Sequence, residues 1–277
     1  MQNIPTITLN DGNSMPLAGF GVHKIVTQAA INTSVKSALA CGYRLFDTAS
    51  VYRNEDLLGN ALAASGIPRN ELFLTSKVWN TAQRLGDIEG ALMRSLERLR
   101  TEYLDLYLVH WPVPGCFNAT WKELERLQKA GLIRSIGVSN FNIHHFEELK
   151  QVATVVPAVN QIEYHPLYNQ ESIHAYCREH GIAVQAYAPL ARGAYSDREM
   201  LQKIASDHGK NALQVGLRWL VQKEVSIIPR SSKPEHIRSN IDIFDFTLTD
   251  VEMKTIDTMD EKYKAASIPE DMRDALL

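Results

Sequence analysis

The sequence predicts an α/β fold in which eight parallel strands alternate with helices and close into a (β/α)8 TIM barrel. Two observations predict it. Short apolar runs recur eight times along the 277 residues, and the segments between them have the spacing of amphipathic helices. No stretch rich in proline, glycine or serine divides the chain, so we expect a single domain over residues 1–277.

The predicted strands are short and apolar, as in parallel sheets that are buried on both faces. Ahead of them, residues 5–20 predict a hairpin around the turn Asn10-Asp11-Gly12-Asn13, which we expect to close the bottom of the barrel. The eight barrel strands are predicted at residues 20–22, 44–46, 72–75, 104–109, 133–138, 158–162, 182–186 and 225–228.

The clearest predicted helix is residues 88–99, where Ile88, Leu92, Leu96 and Leu99 lie on one face. Weaker periodicity predicts the other helices of the barrel. They lie at residues 27–39, 55–64, 120–130, 144–152, 171–179, 198–208 and 213–221.

An open, doubly wound sheet is the structural alternative. Such sheets bind dinucleotides through GxGxxG, but Gly19-Phe20-Gly21 is followed by Lys24 where the last glycine belongs. None of the ten tyrosines has a lysine four residues later, so the Tyr-Lys pair of short-chain dehydrogenases is also missing. The closed barrel is therefore favoured.

Composition excludes several classes of partner. The net charge of −3 and the pI near 6.3 argue against nucleic acid and anionic membranes. The first residues resemble no secretory leader, and Cys41, Cys116 and Cys177 form no CxxC motif. We expect a cytoplasmic monomer that acts on a small molecule, with no disulfide framework and no metal site.

Four polar residues at or just beyond predicted strand ends carry the candidate chemistry: Asp47, Tyr52, Lys77 and His110. Catalytic groups of this barrel class converge at the carboxyl ends of the strands. Each residue alone has an ordinary explanation, such as a turn cap, a surface ion pair, a buried histidine or core packing. Together they suit carbonyl reduction, in which developing charge on oxygen needs a proton donor and a hydrogen-bond donor.

The expected roles follow from the chemistry of each group. Tyr52 is the proton donor, and a nearby ammonium, Lys77, is expected to lower its pKa from the ordinary value of about 10. Asp47 is expected to hold Lys77 charged, and His110 to orient the carbonyl oxygen.

At these positions the sequence resembles the aldo-keto reductase superfamily, from residue 19 to about residue 249. The resemblance rests on residues 42–55 (GYRLFDTASVYRNE), 104–112 (LDLYLVHWP), 136–141 (IGVSNF) and 228–231 (IPRS). Its short loops are similar to the compact microbial type, such as diketogluconate and aldehyde reductases. It implies NADPH-dependent reduction of aldehydes and ketones to alcohols, with Asp47, Tyr52, Lys77 and His110 as the catalytic tetrad.

The resemblance also implies where NADPH binds. The nicotinamide carboxamide is expected at Ser139, Asn140 and Gln161, with Tyr187 stacked on the ring. The remaining cofactor contacts are expected at Leu190, Arg230, Ser231, His236 and Asn240. The segment 230–238 brackets the start of a further short predicted helix, with Pro234 near its first turn. Without the resemblance, Ser139-Asn140 is explained equally well by a helix cap, and the basic residues of segment 230–238 are explained better by a solvated charged face.

Two departures from the family pattern, and the length of the tail, concern specificity. Relatives usually carry lysine at Arg230 and arginine at His236, so we expect NADPH and keep NADH as an alternative. His23 replaces an aromatic in a substrate pocket otherwise formed by Trp79 and Trp111. The short tail after residue 249 predicts a more open pocket, and a broader substrate tolerance, than in relatives with long tails.

Two other function classes fit parts of the pattern. Some relatives use the barrel as a cofactor-binding regulatory subunit with little turnover, although we see no extra segment before the hairpin. A metal-dependent lyase or isomerase would need convergent carboxylates and histidines; only Asp47, His110 and residues 163–165 come close, and Lys77 would repel a cation.

Overall fold

Eight parallel strands form the centre of the protein in the computed structural model, which describes residues 4–272. A separate two-stranded hairpin precedes them. The hairpin is β1 (Thr6–Thr8) and β2 (Ser14–Pro16); the barrel strands are β3 (Gly19–Gly21), β4 (Leu45–Asp47), β5 (Phe73–Val78), β6 (Leu104–Val109), β7 (Ile133–Ser139), β8 (Val159–Glu163), β9 (Ala183–Tyr187) and β10 (Ser226–Ile227).

The barrel strands lie side by side in chain order, and each pairs in parallel with the next. The first and last strands approach each other as well. Ala18 bridges Ile227, and the Gly21 N–H donates to the Pro229 carbonyl at 3.2 Å. The eight strands therefore form a nearly closed barrel, which confirms the predicted fold class.

The hairpin covers the amino-terminal end of the barrel. Its buried side chains Leu9 and Met15 pack in one cluster with Leu45 and Phe73, which lie where β4 and β5 begin. The Asn10 side-chain amide donates to the Pro157 carbonyl at 3.0 Å. The predicted role of the hairpin is thus confirmed.

Helices surround the barrel, and the predicted ones are all present. Two more were not expected: α3, which is short, and α11, which begins with the capping box Thr249–Glu252. The helices are α1 (Gln28–Cys41), α2 (Glu55–Ala63), α3 (Asn80–Leu85), α4 (Ile88–Leu99), α5 (Phe117–Lys129), α6 (Ile143–Leu149), α7 (Glu171–Glu179), α8 (Glu199–Asp207), α9 (Ala212–Gln222), α10 (Pro234–Ile241) and α11 (Asp250–Asp257).

Helix length and hydropathy bear on membrane insertion. Between residues 4 and 272, we find no helix long and apolar enough to cross a bilayer.

Candidate active site

The four polar residues singled out in the sequence meet at the carboxyl end of the barrel. Asp47 is the last residue of β4, Lys77 lies one residue before the end of β5, and His110 follows β6 directly. Tyr52 ends a short 3-10 helix (Ser50–Tyr52) in the loop after β4. The register of neighbouring parallel strands brings these separate segments to one place.

Lys77 and Asp47 form a buried ion pair. The Lys77 Nζ lies 2.7 Å and 2.8 Å from the two Asp47 carboxylate oxygens and 2.8 Å from the Thr48 carbonyl oxygen. Its side chain is 0% exposed and that of Asp47 is 3% exposed. Burial lowers the pKa of Lys77, while Asp47 raises it in part. Three acceptors match the three N–H donors that only the ammonium offers.

Tyr52 lies beside this ion pair and is partly buried. The Lys77 Nζ is 5.2 Å from the centre of its ring. The expected lowering of its pKa is not found: burial first, then the negative charge of Asp47, hold the pKa of Tyr52 well above its ordinary value. The physical reason is that the phenol is desolvated and lies beside the carboxylate of Asp47 as well as the ammonium of Lys77.

His110 closes the group on another side and is 8% exposed. Its ring centre lies 6.0 Å from that of Tyr52 and 5.0 Å from that of Trp79. Burial and the charge of Lys77 hold the pKa of His110 well below its ordinary value. The imidazole is therefore neutral near pH 7, with one N–H donor.

The expected pocket residues lie around this group. The His23 ring centre is 4.6 Å from that of Tyr52, and Trp79 contacts His110. Trp111 is 7% exposed and packs in one cluster with Met272 of the C-terminal tail.

The C-terminal tail packs across one side of the site and is held there by α3. Asp271 accepts hydrogen bonds from Arg84 at 2.7 Å and from Asn80 at 3.1 Å, both on α3. A cleft lies against the tail and includes Ile268 and Trp111 in its lining. A short tail still reaches across because α3, which the sequence did not predict, supplies its anchor.

A second anchor of the tail is Glu163, at the end of β8. One carboxylate oxygen accepts backbone N–H groups of Ala265 at 2.5 Å and Ala266 at 3.1 Å. The same oxygen lies 3.1 Å from Nε2 of buried His165. This role has no local sequence signal, because its partners are backbone groups about a hundred residues away.

The expected nicotinamide residues form one hydrogen-bonded group. The Tyr187 hydroxyl donates to Asn140 Oδ1 at 2.7 Å, and the Asn140 amide donates to the His110 carbonyl at 2.9 Å. The Ser139 hydroxyl donates to the Gln161 carbonyl at 2.8 Å. Asn140 has φ 63°, a left-handed conformation that asparagine tolerates better than most residues.

The amide of Gln161 has a defined orientation. Its Nε2 donates to Asp47 Oδ2 at 2.7 Å and to Gln185 Oε1 at 2.7 Å. Both N–H donors are therefore in use, and Oε1 is the group left to accept a hydrogen bond from a ligand. This orientation fits the amide N–H of a nicotinamide carboxamide.

Gln185 is a residue that the sequence reasoning missed. It is fully buried in β9, accepts from Gln161, and donates to Ser226 Oγ at 3.2 Å. A network of polar groups thus runs from Asp47 through Gln161 and Gln185 to β10. The signal was a glutamine within an apolar strand, since a buried amide requires partners.

Asn54, which positions the loop that carries Tyr52, is another residue that the sequence reasoning missed. It is fully buried two residues after Tyr52, and its amide donates to the carbonyls of Val22 at 2.8 Å and Ile25 at 3.0 Å. Its Oδ1 accepts the Thr48 hydroxyl at 3.0 Å. Asn54 therefore joins the loop after β3 to the loop that carries Tyr52.

The expected phosphate residues lie around the start of α10, where Ser231 Oγ accepts the Lys233 N–H at 3.1 Å. Arg230, Lys233 and His236 are exposed there, and the helix terminus adds positive potential. Asn240 is buried in the same helix.

Leu190 is half-buried in the loop after β9, at the start of the 3-10 helix Ala191–Gly193. Ala188 and Ala191, on either side of it, have φ values of 47° and 46°, in the left-handed region that is strained for alanine.

Among residues 4–272, we find no group of three or more histidine, cysteine, aspartate or glutamate side chains that could hold a metal ion.

Comparison with known proteins places this site in a family. The sequence model of the Aldo/keto reductase family matches residues 17–261. The chain is 44% identical to glyoxal reductase of Bacillus subtilis over 267 residues, covering 96% of this chain and 97% of that protein. It is 40% identical to methylglyoxal reductase DkgA of Escherichia coli O157:H7 over 274 residues, covering 98% of each.

Solved structures agree. The crystal structure of a Bombyx mori aldo-keto reductase in complex with NADP superposes with a TM-score of 0.91 at 34% identity, covering 99% of this chain and 98% of that one. An aldo/keto reductase from Brucella melitensis gives a TM-score of 0.89 at 40% identity, covering 93% of this chain and 100% of the other. The chain therefore belongs to the aldo/keto reductase family.

Proposed function

We propose that this protein reduces aldehydes and ketones to alcohols with NADPH, and that Tyr52 donates the proton. The observation that carries the proposal is the buried Lys77–Asp47 ion pair with the phenol of Tyr52 and the imidazole of His110 beside it. These groups supply a proton, a hydrogen-bond donor and a fixed positive charge at one place.

Membership of the aldo/keto reductase family supports the reaction class. The chain is an NADP-dependent oxidoreductase of carbonyl chemistry. The names of its relatives, glyoxal reductase and methylglyoxal reductase, support small carbonyl compounds as substrates. A regulatory barrel with little turnover, the alternative from the sequence, has no observation in its favour.

The residues present fit the nicotinamide cofactor. Gln161 has its Oε1 left to accept a carboxamide N–H, and Ser139, Asn140 and Tyr187 lie next to it. When bound, NADPH supplies the hydride. Basic groups at the start of α10, including Arg230, suit its 2'-phosphate.

Each catalytic side chain has one task in this proposal. The raised pKa of Tyr52 keeps the phenol protonated, so that it can donate its proton to the carbonyl oxygen as that oxygen becomes negative. Proton transfer leaves a phenolate, and the ammonium of Lys77, 5.2 Å from the centre of the Tyr52 ring, is the cation beside it.

His110 is proposed to hold the carbonyl oxygen. Because its pKa lies well below the ordinary value, it is neutral near pH 7 and donates one hydrogen bond without competing as an acid. Its burial against Trp79 limits movement of the ring. Such a preorganised donor stabilises charge as it develops.

The preference between NADPH and NADH is proposed from the residues expected at the 2'-phosphate of NADPH. Arg230 offers a guanidinium that can bind phosphate through two N–H groups, whereas His236 has an imidazole where relatives usually have the guanidinium of arginine. We propose NADPH as the preferred cofactor and NADH as a weaker one. Measuring turnover with the two cofactors separately at one substrate concentration tests this order.

The decisive experiment is Tyr52→Phe. Removing the hydroxyl keeps the ring and is expected to lower kcat by at least about 100-fold, the usual range for loss of a general acid. NADPH binding, followed by the change in protein fluorescence, should persist. Tyr103→Phe, a half-buried tyrosine packed under Arg69 and remote in function, is the matched control and should keep full activity. Near-normal turnover in Tyr52→Phe would refute the assignment.

A further inference from the structure

His23 is a polar side chain at the edge of the site. Reduction of a simple carbonyl group by Tyr52 and His110 does not use its imidazole. It follows β3 by two residues, and its ring lies 4.6 Å from the Tyr52 ring, centre to centre, at a tilt of 42°. The side chain is exposed, so it faces the open side of the site. Within residues 4–272, neither ring nitrogen forms a hydrogen bond to a protein group.

The backbone around His23 is held in place. The Arg230 guanidinium donates to the His23 carbonyl at 3.1 Å and to the Lys24 carbonyl at 3.3 Å. Asn54 holds the carbonyls on both sides of this pair of residues. The imidazole is therefore presented from a fixed loop, as a preorganised recognition group requires.

The charge state of His23 is also defined. Burial of part of the ring, followed by the positive charges of Lys24, Lys77, Arg230 and Arg192, lowers its pKa to about 4. The imidazole is neutral at physiological pH and carries one N–H donor and one acceptor nitrogen. A neutral group of this kind suits a carbonyl or hydroxyl oxygen and offers no ion pair to a carboxylate.

We propose that His23 is a specificity-determining residue that hydrogen-bonds an oxygen on the carbon next to the reacting carbonyl, so that the site prefers α-dicarbonyl and α-hydroxycarbonyl substrates. The inference rests on the proposed function. It deepens that function by assigning the second oxygen of the substrate to a residue of this chain.

The two oxygens of the substrate are assigned to different groups. In the proposed function the reacting oxygen is held by Tyr52 and His110, whose ring centres are 6.0 Å apart. Because the His23 ring lies against the Tyr52 ring, we assign the oxygen on the adjacent carbon to the imidazole. An apolar ring at position 23 would leave that oxygen without a partner and would cost its desolvation.

The test compares two substrates that differ only in the second oxygen, butane-2,3-dione and butanone. For each enzyme we would measure the ratio of kcat/KM for the dione to that for the ketone, with saturating NADPH. In His23→Phe this ratio is expected to fall about fivefold to tenfold, the range that the loss of one hydrogen bond gives. His23→Asn, which keeps a donor and an acceptor, should recover part of the ratio.

Val26→Ala is the matched control, because Val26 lies in the same loop and is 70% exposed. Its ratio should equal that of the wild type. A ratio that is unchanged in His23→Phe, or that His23→Asn does not recover, overturns the role of His23 while leaving reduction itself intact. If the wild type reduces neither these two compounds nor simple aldehydes, the proposed function fails instead.

Discussion

Lys77→Met is the most informative perturbation of this site because it removes one half of a buried ion pair. Asp47 is left 3% exposed at its side chain, with a single remaining side-chain donor, Gln161 at 2.7 Å. Removing one partner of a buried pair costs about 3–5 kcal/mol, since the other charge stays desolvated. We expect the free energy of unfolding at pH 8 to fall by about that amount.

The assay is urea denaturation followed by circular dichroism. The double variant Lys77→Met/Asp47→Leu should regain at least half of the loss, because it leaves no unpaired charge. In the single variant Asp47 prefers its neutral form, so its pKa lies above the unfolded value. The deficit against the wild type should therefore shrink as the pH falls from 8 to 5.

Lys150→Met is the matched control, since Lys150 pairs with Glu147 at 2.9 Å on the surface, where both side chains are about half exposed. It should leave stability unchanged within error. A loss in Lys77→Met no larger than in this control, or a double variant as unstable as the single one, would refute the claim that the pair is a buried charge pair.

Two further predictions concern the groups around the ion pair. Gln185→Leu should lower the free energy of unfolding by about 1–3 kcal/mol, because a buried N–H of Gln161 loses its acceptor. The same variant should bind NADPH more weakly, as measured by protein fluorescence. Gln151→Leu, at an exposed glutamine, is the control and should change neither property. His110 has a pKa well below its ordinary value, so the wild type loses stability as the pH falls below about 6.5, where the unfolded imidazole takes up a proton that the folded one does not. His110→Gln removes this contribution. Between pH 8 and 5.5, the free energy of unfolding measured with urea should therefore fall by about 1.4 kcal/mol less in this variant than in the wild type. An equal fall in both proteins would contradict a neutral, buried His110.

The sequence by itself determined the fold class and the location of the chemistry. Eight apolar runs separated by helical segments favour a closed parallel barrel over an open sheet. The carboxyl ends of such strands meet at one mouth, so Asp47, Lys77 and His110 could be placed together without coordinates. Local patterns carry this information because strand and helix periodicity depends on neighbouring residues.

Only the tertiary structure decided the electrostatics and the outer wall of the site. The pKa of Tyr52 is raised because the phenol is desolvated and lies near the negative charge of Asp47, and this depends on burial that no motif states. Glu163 and α3 hold the tail over the pocket through contacts between residues far apart in the chain. Such terms are sums over atoms brought together by folding, so they cannot be derived from the order of residues along a strand.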